Sequence, residues 1–240
     1  MAPHDTLLAA IIASLKEEFG DDLLGVLATG SRVHDTPGPT SDLDLHVVIA
    51  SGRRQRRNWL QDGIEIECFI NPPGQIQRYF ADGRGVDQHM FAFGTIAYDP
   101  QGVIAGIQEQ ARREWQQGQP VPPPGAAWRY RYLPADALRD LDDLDDTDPA
   151  SVNLLATELV HTLIENHYAL HGRWPAKLKR RLAELARWDQ RAAALAREAL
   201  LCRPWPERRT SLEQLAAHIL APLGGLMPLE WHTEWEEVEP

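Results

Sequence analysis

Apolar residues recur at three- and four-residue steps from Leu7 and Leu8 through Ile11, Ile12 and Leu15 to Phe19, which predicts a helix capped by Asp5 or Thr6 and stopped at Gly20. Leu23 to Leu27 is continuously apolar apart from Gly25. That length suits a buried strand, and the run leads directly into Gly30 and Ser31. A loop with Pro37, Gly38 and Pro39 follows, then two more strands, Asp42 to Ile49 and Ile64 to Ile70, the second ending at Asn71-Pro72-Pro73. Gln116 to Gly125, with four Pro and two Gly, is the most linker-like stretch. Beyond it helical periodicity takes over: Leu154, Leu155, Leu159, Leu163 and Leu170, then Leu178, Leu182 and Leu185, then Leu195 to Leu201, then Leu212 to Leu220. The pattern predicts an α/β (α+β) domain with a small mixed sheet over 1–118, a Pro/Gly-rich linker over 119–126 and an all-α helical bundle over 127–240.

Composition narrows the function. The 240 residues carry 24 Lys+Arg against 35 Asp+Glu, a net charge of −11, which argues against a phosphate-backbone binder and so against a nucleic-acid partner. A cationic or metal-chelated substrate suits such a surface better. Apolar runs such as Leu7 to Leu15 fall short of the roughly 20 residues that cross a bilayer, so no membrane partner is expected. The N-terminus lacks the basic start and cleavage site of a secretory signal, and Cys68 and Cys202 are the only cysteines, which together suggest a reducing, cytoplasmic location.

The chemistry concentrates in Ser41-Asp42-Leu43-Asp44-Leu45-His46-Val47. Strand alternation puts Asp42 and Asp44 on one face and the apolar residues on the other. Adjacent like charges are unfavourable, so a divalent cation is a physical reason to place them there, with Mg²⁺ the hard-oxygen candidate. The solvent face of an edge strand would explain so short a pattern equally well. Gly30-Ser31 at the end of a buried strand permits close backbone approach to a phosphate. In Ile64-Glu65-Ile66-Glu67-Cys68, alternation puts both Glu65 and Glu67 on one face and does not choose between them.

Gly30-Ser31, ten residues, then Asp42-Leu43-Asp44 resembles the signature of the DNA polymerase β-like nucleotidyltransferase superfamily. The stretch GSRVHDTPGPTSDLDL is similar to that of the kanamycin nucleotidyltransferases, as is IEIECFINPPGQIQRYFADG continuing to FGTIAYDPQG. The resemblance covers most of residues 20 to 115. It implies a nucleotidyltransferase domain in which Asp42, Asp44 and Glu67 hold Mg²⁺ and act in catalysis, with Gly30 and Ser31 at the phosphates of ATP. His171-Gly172-Arg173-Trp174-Pro175-Ala176-Lys177 resembles the turn that brings a lysine to the nucleotide in aminoglycoside adenylyltransferases, which implies that role for Lys177, or for Lys179 nearby. The base is Glu67, Glu65 or an acid of the second domain. The implied reaction is adenylyl transfer from ATP to a hydroxyl of a small molecule of the aminoglycoside type, hence antibiotic resistance, by a monomer or a homodimer. A protein acceptor, in the manner of toxin and antitoxin pairs, and a nucleotide-binding regulator without turnover are the alternatives.

Other features have ordinary readings. The run Arg53, Arg54, Arg56 and Arg57 reads as a solvated loop. His167 and His171, four apart on a helix, face the same way, but no clear further metal ligand appears in the sequence. The seven Asp residues from Asp136 to Asp148 fit a polycation cleft or a solvated helix face equally. Trp174, Trp188 and Trp205 read as fillers between helices, and both cysteines as inert.

Overall fold

The computed structural model of the 240-residue chain describes residues 3–30, 41–144, 148–201, 205–233 and 235. Two compact units emerge, Met1–Gly118 and Gln119–Pro240.

The first unit is built on a sheet of β1 (Leu23–Thr29), β2 (Leu43–Ile49), β3 (Gln55–Gln61), β4 (Ile64–Asn71) and β5 (Thr95–Tyr98), in the order β3-β4-β2-β1-β5. The pair β2 and β4 is parallel and the other neighbours are antiparallel, so the sheet is mixed. Helix α1 (Pro3–Phe19) begins before the expected caps, which places positions 5 and 6 inside the helix. Proline suits that first turn because its φ is already helical and its missing N–H would have had no partner.

Alternation along the strands sorts side chains onto two covered faces. Leu43, Leu45, Val47 and Ile49, with Ile66, Cys68 and Ile70, pack against Leu7, Ile11 and Leu15 of α1. On the other face Leu27 and Val48 meet Ile76 and Phe80 of α2 (Pro73–Ala81), Phe91 of α3 (Gly85–Phe93) and Ile104 and Ile107 of α4 (Val103–Gln117). A Cβ on Gly25 would lie 2.5 Å from Ile104 Cγ1 and 2.8 Å from the Tyr98 carbonyl oxygen, so α4 and β5 close on β1 only over a glycine. Every residue of β2 is buried, which puts Asp44 and His46 inside the protein rather than on a solvent face.

The basic run is a correction. Arg56 and Arg57 belong to the edge strand β3, which the loop reading did not foresee. Asp62 and Gly63, both at positive φ, turn β3 into β4. An Asp-Gly pair between strands is a strong hairpin signal, and charge on an edge strand discourages pairing with another chain.

The second unit is helical: α5 (Ala127–Asp143), α6 (Pro149–Leu170), α7 (Leu178–Trp188), α8 (Gln190–Leu200) and α9 (Trp205–Leu220). Leu159, Leu163, Leu185, Leu212 and Leu215 lie in its core, with Trp188 and Trp205 packed against it. The Pro-rich stretch starts attached to this unit, since Gln119 donates through its backbone to the Gly172 carbonyl at 3.1 Å and through its side chain to that of Arg173 at 2.7 Å. Near the C-terminus Trp231 stacks on Trp128 with ring centroids 5.4 Å apart. The fold class is therefore an α/β unit with a small mixed sheet followed by an all-helical unit, as the periodicities predict. Among the described residues no helix is long and apolar enough to cross a membrane.

Pro134 sits inside α5 and cannot donate to the Tyr130 carbonyl one turn back. Asn166 of α6 donates its side-chain amide there instead, at 3.3 Å. Asn166→Ala is expected to cost about 1 kcal/mol of stability by denaturant melting, and markedly less in a Pro134→Ala background, where a helical N–H replaces the lost donor. Equal losses in both backgrounds would show that the amide does not serve the orphaned carbonyl.

Candidate active site

Two neighbouring strands, β2 and β4, bring the acidic residues together. In the sheet register Asp44 of β2 lies opposite Thr29 of β1 on one side and Glu67 of β4 on the other. Asp42 lies just before β2. One carboxylate oxygen from each of Asp42, Asp44 and Glu67 falls within 4.8 Å of the others. Glu65, the other acid alternation allowed, instead pairs across the hairpin with Leu60 and accepts a hydrogen bond from Asn58 at 3.1 Å. The parallel register of β2 and β4 thus puts Glu67 beside the Asp pair.

The surroundings fit a cation. Asp44 is 4% exposed, and Glu67 is only partly exposed. Clustered carboxylates in so little solvent are costly unless neutralised. Burial works to raise the pKa of Glu67, but Arg56, which donates to it from β3, holds it below the usual carboxylate range. Thr29 is buried and its hydroxyl has no hydrogen-bond partner among the described residues, directly across from Asp44. An all-oxygen donor set with an orphaned hydroxyl beside it suits a hard divalent ion such as Mg²⁺. Behind the acids His46 is stacked on Phe69 at 5.1 Å and reaches Met90 Sδ at 3.2 Å; burial drives its pKa down to about 4, so it stays neutral and adds no countercharge.

Gly30 has φ +93°, and a Cβ there would stand 2.6 Å from Asp44 Oδ2. The backbone can therefore pass the carboxylate only without a side chain. Ser31 lies outside the described residues.

The other candidates are spread more widely. Lys177 is exposed at the N-cap of α7 in the second unit, with Lys179 in that helix's first turn, and its link to a nucleotide rests on the resemblance. Of the acids from Asp136 to Asp148, Asp136 pairs with Arg139, Asp142 with Arg209, and Asp148 caps α6 through the Ser151 amide at 3.1 Å. Asp145 and Asp146 lie outside the described residues, as does Cys202. Cys68 is buried against α1, where burial pushes its thiol up to about 11, which leaves it protonated and unreactive at neutral pH.

Thr29 escaped the sequence reading, and Arg56 was read there only as part of a solvated basic loop. The Asp62-Gly63 turn was the available signal for Arg56, because it sets β3 across from Glu67. Nothing in the sequence marks Thr29, whose place depends on the β1–β2 register.

No protein-family model matches the chain, and no curated protein does. Among solved structures it is similar to a nucleotidyltransferase-like protein from Exiguobacterium sibiricum 255-15, with a TM-score of 0.50 and 15% identity over 91% of this chain and 75% of that one. At that identity the likeness is one of architecture, and the chain has the fold of a nucleotidyltransferase-like protein.

Proposed function

We propose that this chain is a Mg²⁺-dependent adenylyltransferase that moves AMP from ATP to a hydroxyl of a small molecule of the aminoglycoside type. The carrying observation is the convergence of Asp42, Asp44 and Glu67 from neighbouring chain segments, with Gly30 packed bare against Asp44. Held by those three carboxylates, Mg²⁺ would supply charge neutralisation to a triphosphate. Gly30 leaves room for a phosphate to approach the backbone, and Ser31 follows it in the chain. The acceptor oxygen attacks the α-phosphorus, the bond to the bridging oxygen breaks, and pyrophosphate leaves. The acceptor's proton passes to a carboxylate, for which Glu67 is the candidate; its pairing with Arg56 keeps it ionised but also makes it a weaker base than a free carboxylate. Lys177 is assigned to the nucleotide phosphates by resemblance. The acceptor is assigned on the net charge of −11, which favours a polycation at long range.

The test is pyrophosphate release with Mg²⁺ and each nucleoside triphosphate over a panel of aminoglycosides, with Asp42→Asn/Asp44→Asn as the inactive control. Release is expected with ATP and one drug class, and none in the control. Silence over the panel with nucleotide label on a partner polypeptide would move the acceptor to a protein. Silence with ATP bound and no label anywhere would overturn the enzyme reading.

A further inference from the structure

Within the second unit, α6, the α7–α8 junction and α9 turn metal-ligating side chains toward one point. His167 lies in the last turn of α6, Asp189 joins α7 to α8, and His218 lies in the last turn of α9. Both imidazoles share one oxygen: His167 Nε2 is 2.8 Å and His218 Nε2 2.7 Å from Asp189 Oδ2. The other oxygen, Oδ1, is held by the Ala192 amide at 2.9 Å, which caps α8 and fixes the carboxylate's orientation.

We propose that His167, Asp189 and His218 form a binding site for a borderline divalent ion of the Zn²⁺ class, separate from the all-oxygen cluster of the first unit. Two imidazole nitrogens and one carboxylate oxygen suit Zn²⁺ better than Mg²⁺, and three protein ligands leave a position for water or a further ligand. The ligands are held before any ion arrives. Trp188 stacks on the His167 ring with centroids 4.7 Å apart and planes 20° apart, and His171 packs against it at 4.5 Å. His171 is itself tied down, its Nδ1 donating to the His167 carbonyl at 2.8 Å, so it braces the site.

Asp189 is the one acid among the three ligands, and its oxygen already lies between the two imidazole nitrogens that would share an ion with it. Binding exchanges the two N–H donations for two nitrogen lone pairs, each ring carrying its proton on Nδ1 instead. In His167 that nitrogen has no hydrogen-bond partner among the described residues, so no bond must break to receive the proton, at the cost of an unpaired buried N–H. Nitrogen and oxygen must separate slightly, to the roughly 3 Å spacing of neighbouring ligands around Zn²⁺. With its side chain 25% exposed, His218 gives an ion a route in, whereas His167 at 4% does not.

The experiment uses the tag-free full-length chain, stripped with a chelator. Co²⁺ titration is expected to give one equivalent of intense visible absorption from nitrogen-containing, low-coordinate cobalt, which Zn²⁺ then bleaches in competition. The signal should persist in Asp42→Asn/Asp44→Asn, which lacks the oxygen cluster. It should disappear in His218→Ala, with Zn²⁺ affinity down about 100-fold or more. Zn²⁺ should raise the Tm of the starting protein by several degrees and leave that of His218→Ala unchanged. Should His218→Ala unfold, His218→Gln keeps a donor for Asp189 and decides the same question. Weak, octahedral-type Co²⁺ absorption in the starting protein would overturn the site, and so would a signal that survives both His218 variants. Asp189 would then serve as a hydrogen-bonded node tying the α7–α8 junction to α6 and α9.

Discussion

Replacing Asp44 with Asn is expected to lower pyrophosphate release by at least about a thousandfold while leaving the fold intact. Asp44 is the most buried of the three acids and stands between Thr29 and Glu67 in the sheet. Asn matches its shape, so β2 keeps its register and the apolar contacts of Leu43 and Leu45 are undisturbed. What is lost is the charge. A thousandfold corresponds to about 4 kcal/mol of transition-state stabilisation, within reach of removing one carboxylate from a metal site. Stability should hold or rise, because the substitution removes like-charge repulsion with Glu67. Turnover and Tm measured on one preparation separate the two effects. A Tm unchanged or higher with activity gone is the expected pair, and activity within tenfold of the starting protein would remove Asp44 from the mechanism.

Gly30→Ala should be the next most damaging change, for a different reason. Its φ of +93° is unfavourable for any L-residue, and the new Cβ would fall 2.6 Å from Asp44 Oδ2, closer than such atoms pack. Either the backbone or the carboxylate must move. Displacing a catalytic carboxylate by about 1 Å can cost roughly a hundredfold in rate, and the backbone strain adds about 1–2 kcal/mol of destabilisation. Gly20→Ala is the matched control, since Gly20 also has positive φ, +51°, but nothing lies within 4 Å of its added Cβ. It should lose a similar backbone increment and keep its activity. If both variants lose activity alike, the contact with Asp44 is not what the glycine serves.

Much of the fold could be read from periodicity. The strands β1, β2 and β4 and the helices α1, α6, α7, α8 and α9 follow from apolar runs or from apolar residues at steps of two or of three and four, because burying one face is a local requirement, whereas α4 and α5 were not read that way. The strand β3 did not, because its arginines resemble a solvated loop. Arg57 is held by Glu18 of α1 at 2.7 Å and Arg56 by Glu67, and neither partner is near in sequence. The short strand β5 is half-exposed and has too few residues to display a period.

The candidate sites divide along the same line. Alternation predicted a common face for Asp42 and Asp44 without tertiary information, and their carboxylates do come together although Asp42 lies just before β2. Alternation did not choose between Glu65 and Glu67; the family resemblance favoured Glu67, the parallel register of β2 and β4 sets it beside Asp44, and the bare contact at Gly30 came only with the β1–β2 pairing. His167, Asp189 and His218 make the contrast sharper. The i,i+4 spacing of His167 and His171 pointed to a pair, yet the fold uses His171 as a brace and brings in a histidine from α9. Local spacing determines which face a side chain takes, because backbone geometry repeats over a few residues. Which faces meet is decided by the packing of whole elements across turns and loops, and no short period in the sequence encodes that.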